Sequence, residues 1–402
     1  MSTKVLITGI GAVSAIGLNI QELKESILLS ATGIGFSNRL NSELAGKLPS
    51  AQILLSDEEI KNKIKGLSHR IIYSRTSLLA MLAASEAVSM AGLDKRYCAS
   101  AALVSSSSSG GMDKGEVFYA DYLLDPSKAN FKYALIHDCG DASEKIAELL
   151  GVQKYITTIS TACSSAANAF IHASRLIKAG LADIVIAGGS DAMCRFTVNG
   201  FNSLMILSDE PCKPFDRNRK GLNLGEAAGY FVLESERSVN SRGIKPIAEL
   251  SGYGNACDAF HQTASSPNGE GAYLAMTQAI RTSRHIAEEI DYINAHGTGT
   301  QNNDLSESAA LKRIFINQMP PLSSTKAVTG HTLAAAGGIE AVLSVLAIEN
   351  GWIYPNLNFE EPIEETGIIP VSQLKKNQKI KHILSNSFGF GGNNSSLVIS
   401  AC

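Results

Sequence analysis

The sequence predicts an α/β fold with a buried sheet, built as two βαβαβ units in tandem. Three observations predict it. Short apolar runs of strand length alternate with longer stretches of helical periodicity. Glycine- and alanine-rich segments recur throughout, with 35 glycines among 402 residues. About five strands with interleaved helices occur in each half, in a similar order. The chain is 45% hydrophobic and 18% charged, which supports a sizeable core and excludes a disordered or coiled-coil protein.

The first strand is expected over 4–10. It runs into Gly9-Ile10-Gly11, which resembles a dinucleotide fingerprint. The third glycine is missing, and no acidic residue ends a second strand at the required distance, so a tight turn is expected instead. A helix over 71–91 and a strand over 101–105 follow. The serines of 105–109, with Gly110 and Gly111, read as a turn, and the less regular 111–142 as an insertion or cap. A strand over 155–161, a helix over 164–179 and strands over 183–188 and 228–234 complete the first half. The seam near 241–245 divides the chain into 1–244 and 245–402. In the second half strands are expected over 247–254, 292–295, 322–324, 383–386 and 396–400. Helices are expected there over 271–282, 305–316 and 334–349.

The formal charge of −3 gives no bulk field for nucleic acid or an anionic membrane. No apolar run approaches the roughly 18 residues of a membrane span. The opening residues lack the apolar segment of a signal peptide. The seven cysteines are scattered with no CxxC pair, which indicates neither a disulfide framework nor a zinc site. A reduced, cytoplasmic enzyme is the expectation.

Four segments carry candidate chemistry. In Thr161-Ala162-Cys163-Ser164-Ser165 a β-branched strand meets small helix-forming residues, which puts Cys163 at a strand-to-helix elbow. Free N–H groups and the helix dipole there favour a thiolate, so a lowered pKa is expected. Asn294-Ala295-His296-Gly297-Thr298-Gly299-Thr300 also lies beyond a strand's carboxyl end, where open α/β sheets bind ligands. Thr298 and Thr300 point the same way if that segment is extended. Asp304 and Glu307 follow as D-x-x-E and read first as a capping box, with a pairing of Glu307 to Lys326 as the other role. Ser323-Ser324-Thr325-Lys326 and His331 precede an Ala/Gly-rich helix in which Glu340 is a candidate buried carboxylate. In Asn386-Ser387-Phe388-Gly389-Phe390-Gly391-Gly392 the glycines permit close backbone approach, and an exposed N–H there is a candidate oxyanion donor.

Together, in this order, these blocks resemble the β-ketoacyl-acyl-carrier-protein synthases of the thiolase-like superfamily. The resemblance covers nearly the whole chain. It implies a thiolase-like fold with duplicated βαβαβ halves in a layered α-β-α-β-α arrangement. It implies an elongating ketosynthase that condenses an acyl group with malonyl-carrier protein, in fatty-acid elongation or in a specialised polyketide or aryl-polyene pathway. By the same resemblance Cys163 matches the nucleophile, His296 and His331 the paired histidines of malonyl decarboxylation, and Lys326 the supporting lysine. Phe390 matches the gatekeeper whose N–H joins that of Cys163 in an oxyanion hole. Thr263, Thr298 and Thr300 match positions that contact phosphopantetheine. Ser109, Phe201 and Phe388 are assigned to the acyl pocket, and Asp304, Glu307 and Glu340 are assigned as supporting residues of the catalytic site. No metal or organic cofactor is implied, because phosphopantetheine arrives on the carrier protein.

The partners implied are an acyl carrier protein and a second subunit. That subunit is either another copy or a chain-length-type protein, and it meets the strand over 155–160. Retention of Cys163, His296 and His331 argues against a silent chain-length subunit. The sequence departs from the family pattern in places. Serines fill 105–109, and Met205 stands where a carrier-docking arginine is common. Lys65, Arg70, Lys128 and Lys132 are alternative landing residues. Met193, Cys194 and Phe196 are candidates for the acyl tunnel or for core packing.

Overall fold

The computed structural model describes residues 3–40, 42–68 and 70–402. Five strands of a ten-stranded sheet come from the first half: β1 (Val5–Ser14), β2 (Ala102–Ser106), β3 (Tyr155–Ile159), β4 (Ile184–Asp191) and β5 (Ala227–Ser235). Five come from the second: β6 (Ala248–Cys257), β7 (Tyr292–Asn294), β8 (Leu322–Ser323), β9 (His382–Phe388) and β10 (Asn393–Ala401). Every strand expected from the sequence is present, with ends shifted by a few residues. The helices used below are α1 (Arg75–Met90), α2 (Met112–Leu124), α3 (Gly140–Leu150), α4 (Ser165–Lys178), α5 (Arg195–Ser203), α6 (Glu270–Ser283), α7 (Gln301–Ile314) and α8 (Ala336–Asn350).

The strand order is β3-β2-β4-β5-β1 in the first half and β8-β7-β9-β10-β6 in the second. These are the same topology, and the directions match too. β2 is parallel to β3 and β4, β4 is antiparallel to β5, and β5 to β1. In the second half β7 is parallel to β8 and β9, β9 is antiparallel to β10, and β10 to β6. The halves join where Leu6 and Ile7 of β1 pair with Glu249 and Ala248 of β6.

Three apolar clusters fill the spaces this leaves. One joins α1 and α3 to the outer face of the first half, through Leu79, Ala83, Ile146 and Tyr230. One joins α6 and α7 to the outer face of the second half, through Met276, Leu311 and Val398. The largest lies between the halves and holds α4 and α8, with Phe170, Phe231, Leu343 and Ile399. Phe170 stacks on Phe231 with ring centroids 4.4 Å apart. The result is five layers, helix-sheet-helix-sheet-helix.

Two expectations need correction. Gly9 and Gly11 are not a turn; they lie inside β1. A Cβ at Gly9 would come 2.2 Å from the Ala87 carbonyl oxygen, and one at Gly11 2.1 Å from that of Ala83. These glycines let α1 lie directly on the strand. Gly252 and Gly254 of β6 do the same for α6, against Ala279 and Ala275. Second, 333–350 does have the length and hydropathy of a membrane span, with 83% of it buried at the centre of the molecule. It is apolar all round because it faces both halves.

The 111–142 segment is more regular than expected. It contains α2, a short helix over Lys132–Leu135 and the start of α3. None of the residues of α2 is buried.

Candidate active site

β3 ends at Ile159, and α4 begins at Ser165. Between them the chain turns sharply, with Ala162 in the left-handed region at φ 51°. A non-glycine residue there stores strain of about 1–3 kcal/mol. The turn is pinned by Ser165, whose Oγ accepts from Thr161 N at 2.8 Å and donates to the Ala162 carbonyl at 2.6 Å. Cys163 is thereby held at the floor of a cavity of about 310 Å³. Burial pushes its thiol up to about 11, against the pull of the Lys326 ammonium and of the Phe390 and Cys163 N–H groups. The expected depression is therefore not what the site produces: desolvation outweighs the helix terminus, and the resting sulfur is a thiol.

The Phe390 loop approaches from between β9 and β10. Gly389 N donates to the Asn393 carbonyl at 2.9 Å, and Gly391 N to that of Gln262 at 2.7 Å. Gly391 and Gly392 have φ of 80° and 77°, which a side chain would resist. Asn393 Oδ1 accepts from Ser164 Oγ, Asn168 Nδ2 and Asn255 Nδ2 at 2.8–2.9 Å. This fastens the loop to the start of α4, with two N–H groups, of Cys163 and Phe390, directed at one sulfur.

His296 follows β7 and His331 follows β8; their rings meet edge to face at 5.5 Å between centroids. Both line the cavity. Lys326 Nζ lies 3.1 Å from His296 Nδ1. A lysine nitrogen has only hydrogens to offer a ring nitrogen, so Nδ1 accepts and the imidazole proton is assigned to Nε2. Leu333 N donates to His331 Nδ1 at 3.2 Å, which assigns that proton to Nε2 as well. Burial and Lys326 hold both imidazoles well below the usual histidine range, so both are neutral near pH 7. The site thus presents two neutral N–H donors.

Lys326 is paired with Glu340, not Glu307. Burial raises the Glu340 carboxyl to about 7 against the pull of that lysine. Asp304 and Glu307 are not a cap either. α7 begins earlier, at Gln301, and both residues lie buried within it. Glu307 accepts from His296 N at 2.9 Å, Gly297 N at 2.8 Å and Asn386 Nδ2 at 3.0 Å. Asp304 accepts from Phe215 N at 2.7 Å and Gly299 N at 3.2 Å. The two carboxylates hold the 296–299 backbone in place; burial raises both carboxyls.

Thr263, Thr298 and Thr300 line the same cavity, and the last two share a hydrogen bond of 2.8 Å. Phe201 and Phe388 line it as well. Phe201 stacks on Phe390 at 5.7 Å, and Phe388 packs on His296 at 5.6 Å. Met205 lies at the cavity's edge, exposed and with φ 56°. Ser109 does not line this cavity. It is buried, and both its N–H and its hydroxyl are held by Asp191. Met193 and Cys194 pack in the interior and Phe196 faces outward, all off the cavity wall.

Lys65, Arg70, Lys128 and Lys132 are exposed, and Lys128 pairs with Asp125. Sequence reasoning missed Leu204, Ile206, Lys220 and Leu222 in the wall. They come from irregular chain between α5 and β5 and stand at positions where no motif singles them out. Among the described residues no group of three or more His, Cys, Asp or Glu is placed to hold a metal ion.

Comparison with known proteins fits this geometry. Residues 2–238 match the family model described as beta-ketoacyl synthase, N-terminal domain. Residues 247–360 match beta-ketoacyl synthase, C-terminal domain. Nodulation protein E of Rhizobium meliloti (strain 1021) is 33% identical over 410 residues, 99% of either chain. The 3-oxoacyl-[acyl-carrier-protein] synthase 2 of Staphylococcus aureus (strain COL) is 34% identical over 414 residues, covering 98% of this chain and 97% of that one. Among solved structures, the ishigamide ketosynthase/chain length factor superposes with a TM-score of 0.94 at 31% identity over all of both chains. A ketosynthase (ApeO) in complex with its chain length factor (ApeC) from Xenorhabdus doucetiae gives 0.85 at 29%, covering 100% of this chain and 98% of that one.

Proposed function

The chain belongs to the β-ketoacyl synthase family, and from that premise we propose that it lengthens acyl chains on an acyl carrier protein by decarboxylative condensation with malonyl-carrier protein. One observation carries the reading. A buried thiol beneath two backbone N–H groups faces two neutral imidazoles whose Nε2–H groups share its cavity.

In the first half-reaction the Cys163 sulfur attacks the acyl thioester carbonyl. The tetrahedral oxyanion takes the N–H groups of Cys163 and Phe390, each donor contributing about 3–4 kcal/mol in comparable sites. The carrier's pantetheine sulfur leaves with the proton that the Cys163 thiol gives up. In the second, malonyl thioester loses CO2, and the enolate oxygen takes the Nε2–H groups of His296 and His331. The enolate carbon attacks the acyl thioester on Cys163. The new carbon–carbon bond forms as the bond to sulfur breaks, and the sulfur regains a proton. Lys326, held by Glu340, keeps His296 in the donating tautomer. Thr263, Thr298 and Thr300 offer hydroxyls to the pantetheine amides, and Phe201 and Phe388 line the acyl chain's path. Loss of CO2 drives the step, with no further cofactor required.

Fatty-acid elongation is the first reading of the pathway, supported by the resemblance to 3-oxoacyl-[acyl-carrier-protein] synthase 2 over nearly all of both chains. A specialised polyketide or polyene chain is the second, favoured by the TM-score of 0.94 with the ishigamide ketosynthase/chain length factor. The carrier protein is the partner that delivers substrate. A second subunit, another copy or a chain-length-type protein, covers the free edge of β3, where Tyr155 and Ile156 are exposed.

The test is intact-protein mass spectrometry after exposure to saturated, polyenoyl and aryl acyl-carrier proteins, followed by malonyl-carrier protein. A Cys163-dependent adduct and then a chain two carbons longer are expected. Normal condensation by Cys163→Ala would overturn the assignment. Preference for long saturated chains places the enzyme in fatty-acid elongation; preference for polyenoyl or aryl chains places it in a specialised pathway.

A further inference from the structure

The three serines of 107–109 do not serve the cavity. They converge on Asp191, the wholly buried last residue of β4. Ser107 Oγ donates to Asp191 Oδ1 at 2.6 Å and Ser108 Oγ to Oδ2 at 2.5 Å. Ser109 Oγ and N donate to Oδ1 at 2.8 and 3.0 Å, and Ser108 N to both oxygens at 3.1 and 3.2 Å. One further donor comes from the other half of the chain: Ala334 N, at 2.8 Å from Oδ2.

That last bond reaches the active site. Ala334 adjoins Leu333, whose N–H donates to His331 Nδ1. Leu333 is itself in the left-handed region, at φ 53°. A leucine does not rest there unaided; the surrounding bonds must hold it. Asp191 grips the next peptide, and so fixes the direction of the one N–H that sets the His331 tautomer.

We propose that Asp191 is a positioning residue for His331. It anchors the 332–334 turn to the serine turn, so that His331 presents Nε2–H to the developing enolate. This rests on the condensing role proposed above. It gives Asp191 opposite effects on the two half-reactions: it serves decarboxylation, whereas toward Cys163 its carboxylate only helps to raise the thiol and so does not assist acyl transfer.

Asp191→Asn is the test. The amide keeps one acceptor oxygen and puts N–H groups where donors already point, so it cannot hold both turns. CO2 release from malonyl-carrier protein should fall about tenfold in kcat with KM little changed, while the rate of Cys163 acylation does not fall, because the substitution removes a charge that disfavours the Cys163 thiolate. In a His331→Ala background the same substitution should cost nothing further, because its route is already removed. Equal loss in both half-reactions, or full additivity with His331→Ala, would overturn the inference. If Asp191→Asn does not fold, the Ser108→Ala/Ser109→Ala double variant removes two hydroxyl donors and keeps the carboxylate. It should show the same split at about threefold, and a parallel loss in both half-reactions there would equally overturn it. A wild-type enzyme that acylates Cys163 but never decarboxylates malonyl-carrier protein would refute the proposed function itself.

Discussion

At Cys163 two opposing effects act on one sulfur. The N–H groups of Cys163 and Phe390 and the Lys326 ammonium favour a thiolate, but burial is the larger cause, and the thiol rises to about 11. An elbow motif suggests the first set of effects; only the surrounding protein sets the second. The sign is testable. Below its pKa a thiol gains about tenfold in thiolate per pH unit. Alkylation of Cys163 by iodoacetamide should therefore climb through pH 7, 8 and 9 without levelling, as followed by mass spectrometry. A plateau near pH 7 would show a depressed pKa and overturn the reading. The residue-level pattern of Cys163, His296, Lys326 and His331 was legible in the sequence, because each sits in a short motif after a strand. The partner of Lys326 was less so. Glu307 and Glu340 both lie on helices that follow it or His296, and only packing places Glu340 rather than Glu307 at the lysine.

At the scale of elements, the central feature is helix laid on glycine. Gly9 and Gly11 receive α1, and Gly252 and Gly254 receive α6, each through alanines four residues apart. The spacing Gly-x-Gly puts both glycines on one face of a strand, and the alanines sit one turn apart on a helix. This shared pattern is the sequence trace of the duplication; in the first half it read as a turn, because glycine pairs usually mark turns, and in the second Gly252 and Gly254 fell within the expected strand over 247–254. Gly11→Val forces a side chain against the Ala83 carbonyl and should lower stability by about 1–3 kcal/mol or more, read from denaturant unfolding. Gly35→Ala, where an added Cβ meets nothing within 4 Å, is the control and should be close to neutral. Equal effects of the two would contradict the packing argument.

At the scale of the whole molecule, an apolar region around α2 is left uncovered. α2 buries none of its own residues and exposes Tyr119, Leu123 and Leu124, and nearby in sequence Phe131 and Leu135 are exposed too. Phe118, Tyr122 and Phe131 cluster with ring centroids 5.2–6.3 Å apart. With the free edge of β3 this is surface that favours a protein neighbour. Ile156→Glu together with Leu124→Glu should shift the chain toward monomer in light scattering, or toward loss of a co-expressed chain-length-type subunit. The melting temperature of the monomer should be little changed, since neither residue is buried. Unaltered association would remove these surfaces from the interface.

The sequence by itself determined the class, the ten strands of the large sheet, the family and the residues that gather around the cavity. Those are written locally: a strand needs a handful of apolar residues, and a catalytic loop needs its glycines and its nucleophile within a few positions. Tertiary structure decided what depends on atoms far apart in the chain. It set the raised pKa of Cys163, the pairing of Lys326 with Glu340, the common proton position on both histidines and the withdrawal of Ser109 from the cavity to Asp191. Each of these is a matter of burial and of which donor reaches which acceptor. Neither quantity exists until 107–109, 191 and 331–334, separated by up to 227 residues, are brought together.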